Sequence, residues 1–243
     1  IIQIKNGPID FQPREPFSPL FGQLKKTAMM VEFQITQEYL GFSNHLVYHG
    51  TTYEECLDSD TYRDGQGSTV AKNVKAIAGV ANTGQDPNFC GYIFAQSNWY
   101  AFGRLAWDPS LSSEGIAKEW LEQTFSTDEN FVYMMSTIME ESRETCVDYM
   151  MPLGLHHIFK FDHHYGPEPD GFIASYPLEW CPVYYHKADT QGVGFDRSSK
   201  GTDAVGQYPE PYRSLYDNIE TCPEEYLLWF HHVAWDYKMK SGS

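Results

Sequence analysis

The sequence predicts an α/β region followed by a mostly helical one, and three observations carry that expectation. Two strand-like runs near the start each close on a carboxylate, Asp10 and Glu38, which lie 28 positions apart. Strand and helix patterns then alternate to about residue 109. From Ser110 onward the apolar period becomes helical.

Taken in order, Ile1-Ile2-Gln3-Ile4-Lys5 is β-rich and is stopped by Asn6-Gly7-Pro8, which places Asp10 just beyond a strand end. In the second run Val31, Phe33 and Ile35 alternate with Glu32, Gln34, Thr36 and Glu38, a period of two with one apolar and one polar face. The 28-residue spacing is close to the ~31 residues per βα unit of a (β/α)8 TIM barrel, and it suits the C-terminal ends of neighbouring strands. Two readings stay open. In one, the polar row is the solvent face of an antiparallel strand and Asp10 is an ordinary turn residue. In the other, the row points into a barrel, where carboxylates are costly to desolvate and are retained where chemistry needs them.

Residues 74–80 (VKAIAGV) and 92–95 (YIFA) are further strand candidates, although a helix ending at Gly79 also fits the first. Residues 98–107 read as a helix ended by Asp108-Pro109. A second helix begins at the candidate caps Ser112 and Ser113 and carries Ile116, Trp120, Leu121 and Phe125. A third follows Thr127, with Asp128 and Glu129 at the positive end of its dipole and a stripe of Phe131, Met134, Met135, Ile138 and Met139 for a core or a dimer face. Pro152 and Gly154 end it. The box Thr221-x-x-Glu224 starts a last helix that buries Tyr226, Leu227 and Phe230. Residues 160–211, crowded with Pro, Gly, His and aromatics, form a long ordered loop region. The chain thus divides into 1–109 and 110–243.

Charge excludes one class of partner. With 17 Lys and Arg against 33 Asp and Glu, net −16, and no basic cluster beyond Lys25-Lys26, an electrostatic footprint for nucleic acid is missing. No run approaches the ~20 apolar residues of a membrane span, and no signal pattern opens the chain. Five widely spaced cysteines without a CxxC pair, and no glycosylation sequon, point to a reducing, cytoplasmic setting, a secreted or periplasmic one being the alternative. Aromatics at 16% supply either sugar-stacking surfaces or core. His45-x-x-x-His49 has helical ligand spacing on an extended segment, and HExxH, GxGxxG, Walker and nucleophile-elbow motifs are missing, so no metal and no organic cofactor is expected.

The words NGPIDFQPREP (6–16), EFQITQEYLG (32–41), NWYAFGRLAW (98–107) and HHYGP (163–167), with YHKAD (185–189) and WDYKMK (235–240), resemble the α-glucuronidases of glycoside hydrolase family 67 over nearly the whole chain. The resemblance implies a (β/α)8 barrel whose last three strands lie in residues 1–109, followed by a mostly helical C-terminal region that pairs subunits into a homodimer. Such enzymes remove 4-O-methyl-glucuronic acid from xylo-oligosaccharides with inversion, so the implied partner is a glucuronic-acid-substituted xylo-oligosaccharide. Asp10 and Glu38 match the carboxylates on the general-base side, and Lys5 matches a lysine near the sugar. Arg14 is a second candidate cation, with an ion pair to Asp10 or Glu15 as the alternative. The family's general acid matches no residue here, so the chain is expected to be a fragment that is inactive alone. The competing expectation is a non-catalytic carbohydrate-binding or dimerisation module using Trp99, Trp107, Trp180 and the 160–186 loop.

Overall fold

The computed structural model describes residues 1–9, 11–37, 45–160 and 166–242. Strand β1 (Ile2–Lys5) pairs in parallel with β2 (Met29–Gln34), in register from Ile2 opposite Met29 to Lys5 opposite Glu32. Between β2 and the third strand come helices α1 (Gly50–Asp58) and α2 (Val70–Asn73). Strand β3 (Val74–Val80) then pairs in parallel with the other edge of β2, giving the order β1-β2-β3. Parallel neighbours need long connections, and the described residues of the β1–β2 connection include a 3-10 turn, Pro19–Gly22.

This pairing overturns the antiparallel reading. Val31, Phe33 and Ile35 are buried on one face, and Gln34 and Thr36 on the other are buried as well, as expected where a parallel sheet is covered on both sides. The polar row is therefore not a solvent face at its C-terminal end. Residues 74–80 form the strand and not the alternative helix.

The expected strand at 92–95 does not form. After α3 (Asn88–Gly91), the carbonyls of Tyr92, Ile93 and Phe94 accept from Ala95, Gln96 and Ser97 in turns that lead into α4 (Ala95–Trp107). Phe94 packs on the rings of Trp120 and Phe125, at 5.6 and 5.7 Å between centroids, so its partner is a helix instead of a sheet.

Helix α5 (Ser113–Thr124) is capped by Ser112, whose Oγ accepts from Gly115 N at 3.2 Å. Helix α6 (Glu129–Met150) is capped by Asp128, accepting from Phe131 N at 2.8 Å. Its buried stripe runs Val132, Ser136, Met139, Arg143, Cys146, Val147 and Met150. The sequence stripe mixed two faces: Met139 is buried, whereas Met134 and Ile138 are 59% and 49% exposed.

Among its described residues the 160–211 region contains short elements, including α7 (Pro182–Tyr185) and β4 (Gly192–Val193); His163-His164 lie outside the described residues. After α8 (Tyr212–Asp217) the expected capping box is not formed. Pro223 holds the cap position without a side-chain bond, Thr221 Oγ1 donates to Leu215 O at 2.9 Å, and Glu224 accepts from Ser241 N at 3.1 Å. A 3-10 turn (Glu224–Tyr226) and the one-turn α9 (Leu227–Phe230) still bury Tyr226, Leu227 and Phe230, before β5 (Val233–Ala234) pairs antiparallel with β4.

One apolar cluster joins Ile4, Val31 and Phe33 of the sheet to Tyr53 and Leu57 of α1, Leu105 of α4, Trp120 of α5, Met139 of α6 and Phe230 of α9. Cys56, Cys146, Cys181 and Cys222 are buried, free thiols. Among the described residues no helix is long and apolar enough to cross a membrane.

Candidate active site at the strand ends

Lys5 is the last residue of β1, exposed, with its Nζ 5.0 Å from the ring centre of Phe11. The chain then turns back on Glu15, whose carboxylate accepts from Ile9 N at 3.1 Å and from Gln12 N at 3.3 Å. Gly7 permits that turn. It adopts φ +85°, and a Cβ there would lie 1.8 Å from Glu15 Oε2. Phe11 also takes a left-handed backbone, φ +57°, a conformation that costs on the order of 1–3 kcal/mol and recurs at functional sites. Asp10 itself lies outside the described residues.

The end of β2 is held as tightly. Tyr53 OH donates to Gln34 O at 2.7 Å, Ile35 N to Val80 O at 2.8 Å, Asn82 N to Thr36 Oγ1 at 3.1 Å, and Gln37 Nε2 to His45 O at 2.6 Å. Glu38, the next residue, lies outside the described residues.

Between the 6–15 loop and the helices runs a narrow cleft bordered by Asn6, Phe11, Gln12, Gln34, His49 and Arg143. His49 N donates to Asn98 Oδ1 at 2.8 Å, and Asn98 Nδ2 to Val47 O at 3.0 Å, which fixes the imidazole against the Tyr53 ring. Burial, and behind it the charge of Arg143, pushes the His49 pKa down to about 3, so the ring is neutral near neutral pH. Its Nε2 and the Oε1 atoms of Gln34 and Gln37 are buried without a hydrogen-bond partner among the described residues.

Behind the loop stands a charged network. Arg14 is bound by Glu55 at 3.5 Å and by Glu144, two carboxylates outside the expected pair; Asp10, one member of that pair, lies outside the described residues. Arg143 of α6 donates from Nη1 to the same Glu55 and from Nε to Pro13 O at 3.2 Å. Tyr226 OH adds a bond to Glu55 Oε1 at 3.3 Å. Burial works to raise the Glu55 pKa, but Arg143, Arg14 and Tyr226 hold it below the usual carboxylate value. Sequence reasoning missed Glu55 and Arg143 and weighed His49 only as a metal ligand. The available signal was Arg143 itself, a cation standing four residues after Met139 and three before Cys146 on an apolar stripe.

Parallel strands ending in amides and a lysine define an α/β protein, and the cleft at their carboxyl ends lies where such sheets bind ligands. Family models sharpen that class: one described as "Glycosyl hydrolase family 67 middle domain" matches residues 1–89 and one described as "Glycosyl hydrolase family 67 C-terminus" matches residues 90–243. The chain belongs to glycoside hydrolase family 67. It is 43% identical, over its whole length, to alpha-glucuronidase A of Emericella nidulans, of which it covers 29%. It is 39% identical to a probable alpha-glucuronidase A of Aspergillus flavus and 38% identical to alpha-glucuronidase A of Aspergillus tubingensis, again over its whole length and covering 30% of each. The chain therefore spans about three-tenths of the length of the curated relatives it matches.

Proposed function

We propose that the strand-end cleft is the general-base half of an inverting α-glucuronidase site that releases (4-O-methyl)-glucuronic acid from substituted xylo-oligosaccharides. The observation that carries this reading is the in-register parallel pairing of β1 and β2. Neighbouring strands lie about 4.8 Å apart, so the chain leaves Lys5 and Gln34, on its way to Asp10 and Glu38, at the same carboxyl end of two adjacent strands. The sheet is the closing part of a (β/α)8 barrel in this reading.

Inversion requires water on the sugar face opposite the leaving oxygen, with carboxyl groups about 6.5–9.5 Å apart across the bond. Asp10 and Glu38 hold that water between them. One accepts its proton as the new bond to the anomeric carbon forms, and the charge of the other raises the acceptor's proton affinity. The xylose oxygen departs with a proton from a general acid, which the family pattern places on an earlier strand. Lys5, exposed at the end of β1, takes the uronate. The helical region pairs two copies through the outer face of α6, where Tyr133, Met134 and Ile138 are exposed.

The test is a hybrid in which residues 1–243 replace the matching 29% of the Emericella relative. The hybrid is expected to release 4-O-methyl-glucuronic acid from an aldouronic acid. Asp10→Asn and Glu38→Gln are each expected to lower kcat by about 10²–10⁴-fold with KM little changed. An inactive parent hybrid, or full activity in both variants, would sink the assignment.

A further inference from the structure

The loop that contains position 10 is held from outside the sheet, and the holding groups come largely from the helical half of the chain. Pro13 O accepts from Arg143 Nε at 3.2 Å, Arg14 N lies 3.4 Å from Met151 Sδ, and the Arg14 guanidinium binds Glu144. All three partners belong to α6 or the residue after it. Glu55 of α1 joins the two guanidiniums, and Glu15 ties Ile9 and Gln12 from within the loop. Arg143 is 5% exposed and borders the cleft, so its charge is buried beside the site instead of solvated on the helix surface. An arginine at this depth is costly unless every donor is used, and here its planar fork joins a carboxylate on one helix to a loop carbonyl on the other side.

We infer that Arg143 is a positioning residue for the general-base pair: with Glu55 it clamps the Pro13 carbonyl, three positions from Asp10 in the sequence, and so constrains the 6–15 loop. This rests on the assignment of Asp10 proposed above. Lysine keeps the charge but is a point donor on a flexible stem. It cannot hold Glu55 and the Pro13 carbonyl in one plane, and displacing a reacting group by about 1 Å can cost on the order of 100-fold in rate.

The experiment is a double-mutant cycle in the hybrid enzyme, read as kcat and KM well below the melting temperature. Arg143→Lys is expected to lower kcat about 10- to 100-fold with KM within about twofold, and to change the residual rate of the Asp10→Asn hybrid by less than about twofold, because a residue that acts through Asp10 has nothing left to act on. The clamp is refuted if Arg143→Lys leaves kcat within about twofold of the parent, or if it slows the Asp10→Asn hybrid by the same factor as the parent, which is the mark of a general structural loss. Full activity in the Asp10→Asn hybrid itself would instead remove the base assignment. Should Arg143→Lys fail to fold, Arg14→Lys removes the other guanidinium from Glu55 and is read by the same outcomes.

Discussion

Glu140, on α6, faces the start of α5, where Ser113 Oγ donates to its Oε2 at 3.0 Å and Glu54 accepts from Ser113 N at 2.8 Å. Burial first, with Glu54 and Glu114 adding to it against Ser113 and Lys118, raises the Glu140 pKa from 4.5 to about 7. Below about pH 4.5 the group is protonated in both folded and unfolded chains and costs nothing. As pH climbs from there to 7 the unfolded chain releases its proton first, so folding stability falls. Glu140→Gln is therefore expected to match the parent near pH 4.5 and to exceed it at pH 8, by on the order of 1–2 kcal/mol after solvent screening of a half-buried group. Thermal melts at the two pH values check this. His49 works in the opposite sense: with a folded pKa of about 3, it withdraws stability as pH falls below about 6.5. Neither effect was legible in the sequence, because each depends on groups far along the chain: Glu54 is 86 positions from Glu140, and Arg143 is 94 from His49. The pairing of Arg14 with Glu55 and Glu144 was hidden for the same reason, since those carboxylates stand 41 and 130 positions away.

Gly79 shows how far a single element could be read. Its place in an apolar run allowed either a strand or a helix end. In the fold it lies in β3 where α4 comes closest, and a Cβ there would stand 2.5 Å from Ile35 Cδ1 and 2.8 Å from the Phe102 ring. A glycine inside a strand often marks such an approach. Gly79→Ala is expected to cost about 1–3 kcal/mol through overpacking, seen as a lower urea midpoint, and Phe102→Leu should restore part of it. Where period and caps were strong, as at Ser112, Asp128 and the β2 alternation, element type was legible before any fold was known. It failed at 92–95 because an aromatic run resembles a strand whether its rings meet a sheet or, as here, Trp120 and Phe125. At Thr221 the hydroxyl found carbonyls of the preceding turn, and the capping pattern went unused.

For the whole molecule, spacing carried most of the information. The 28-position spacing of Asp10 and Glu38 pointed to neighbouring strands, and β1 and β2 are adjacent and parallel. The change of period at residue 110 gave no hint that one apolar cluster runs from Ile4 to Phe230. Which faces meet across such a core is decided by three-dimensional complementarity and not by local pattern.

Because every thiol in the described interior is sealed, the molecule also carries its own gauges of local opening. Cys56 and Cys222 belong to the main cluster, Cys146 to a four-residue cluster with Val47, Met150 and Phe159, and Cys181 precedes α7. Burial pushes Cys146 up to about 11 and Cys222 up to about 12, so at pH 8 a disulfide reagent meets neither an accessible sulfur nor a thiolate. Labelling then waits on fluctuation, and its rate at each site reads the free energy of opening there. Mass spectrometry of a slow labelling course should find Cys146, in the smaller cluster, modified well before Cys56. The order of all four would rank the regions by local stability without a single introduced probe.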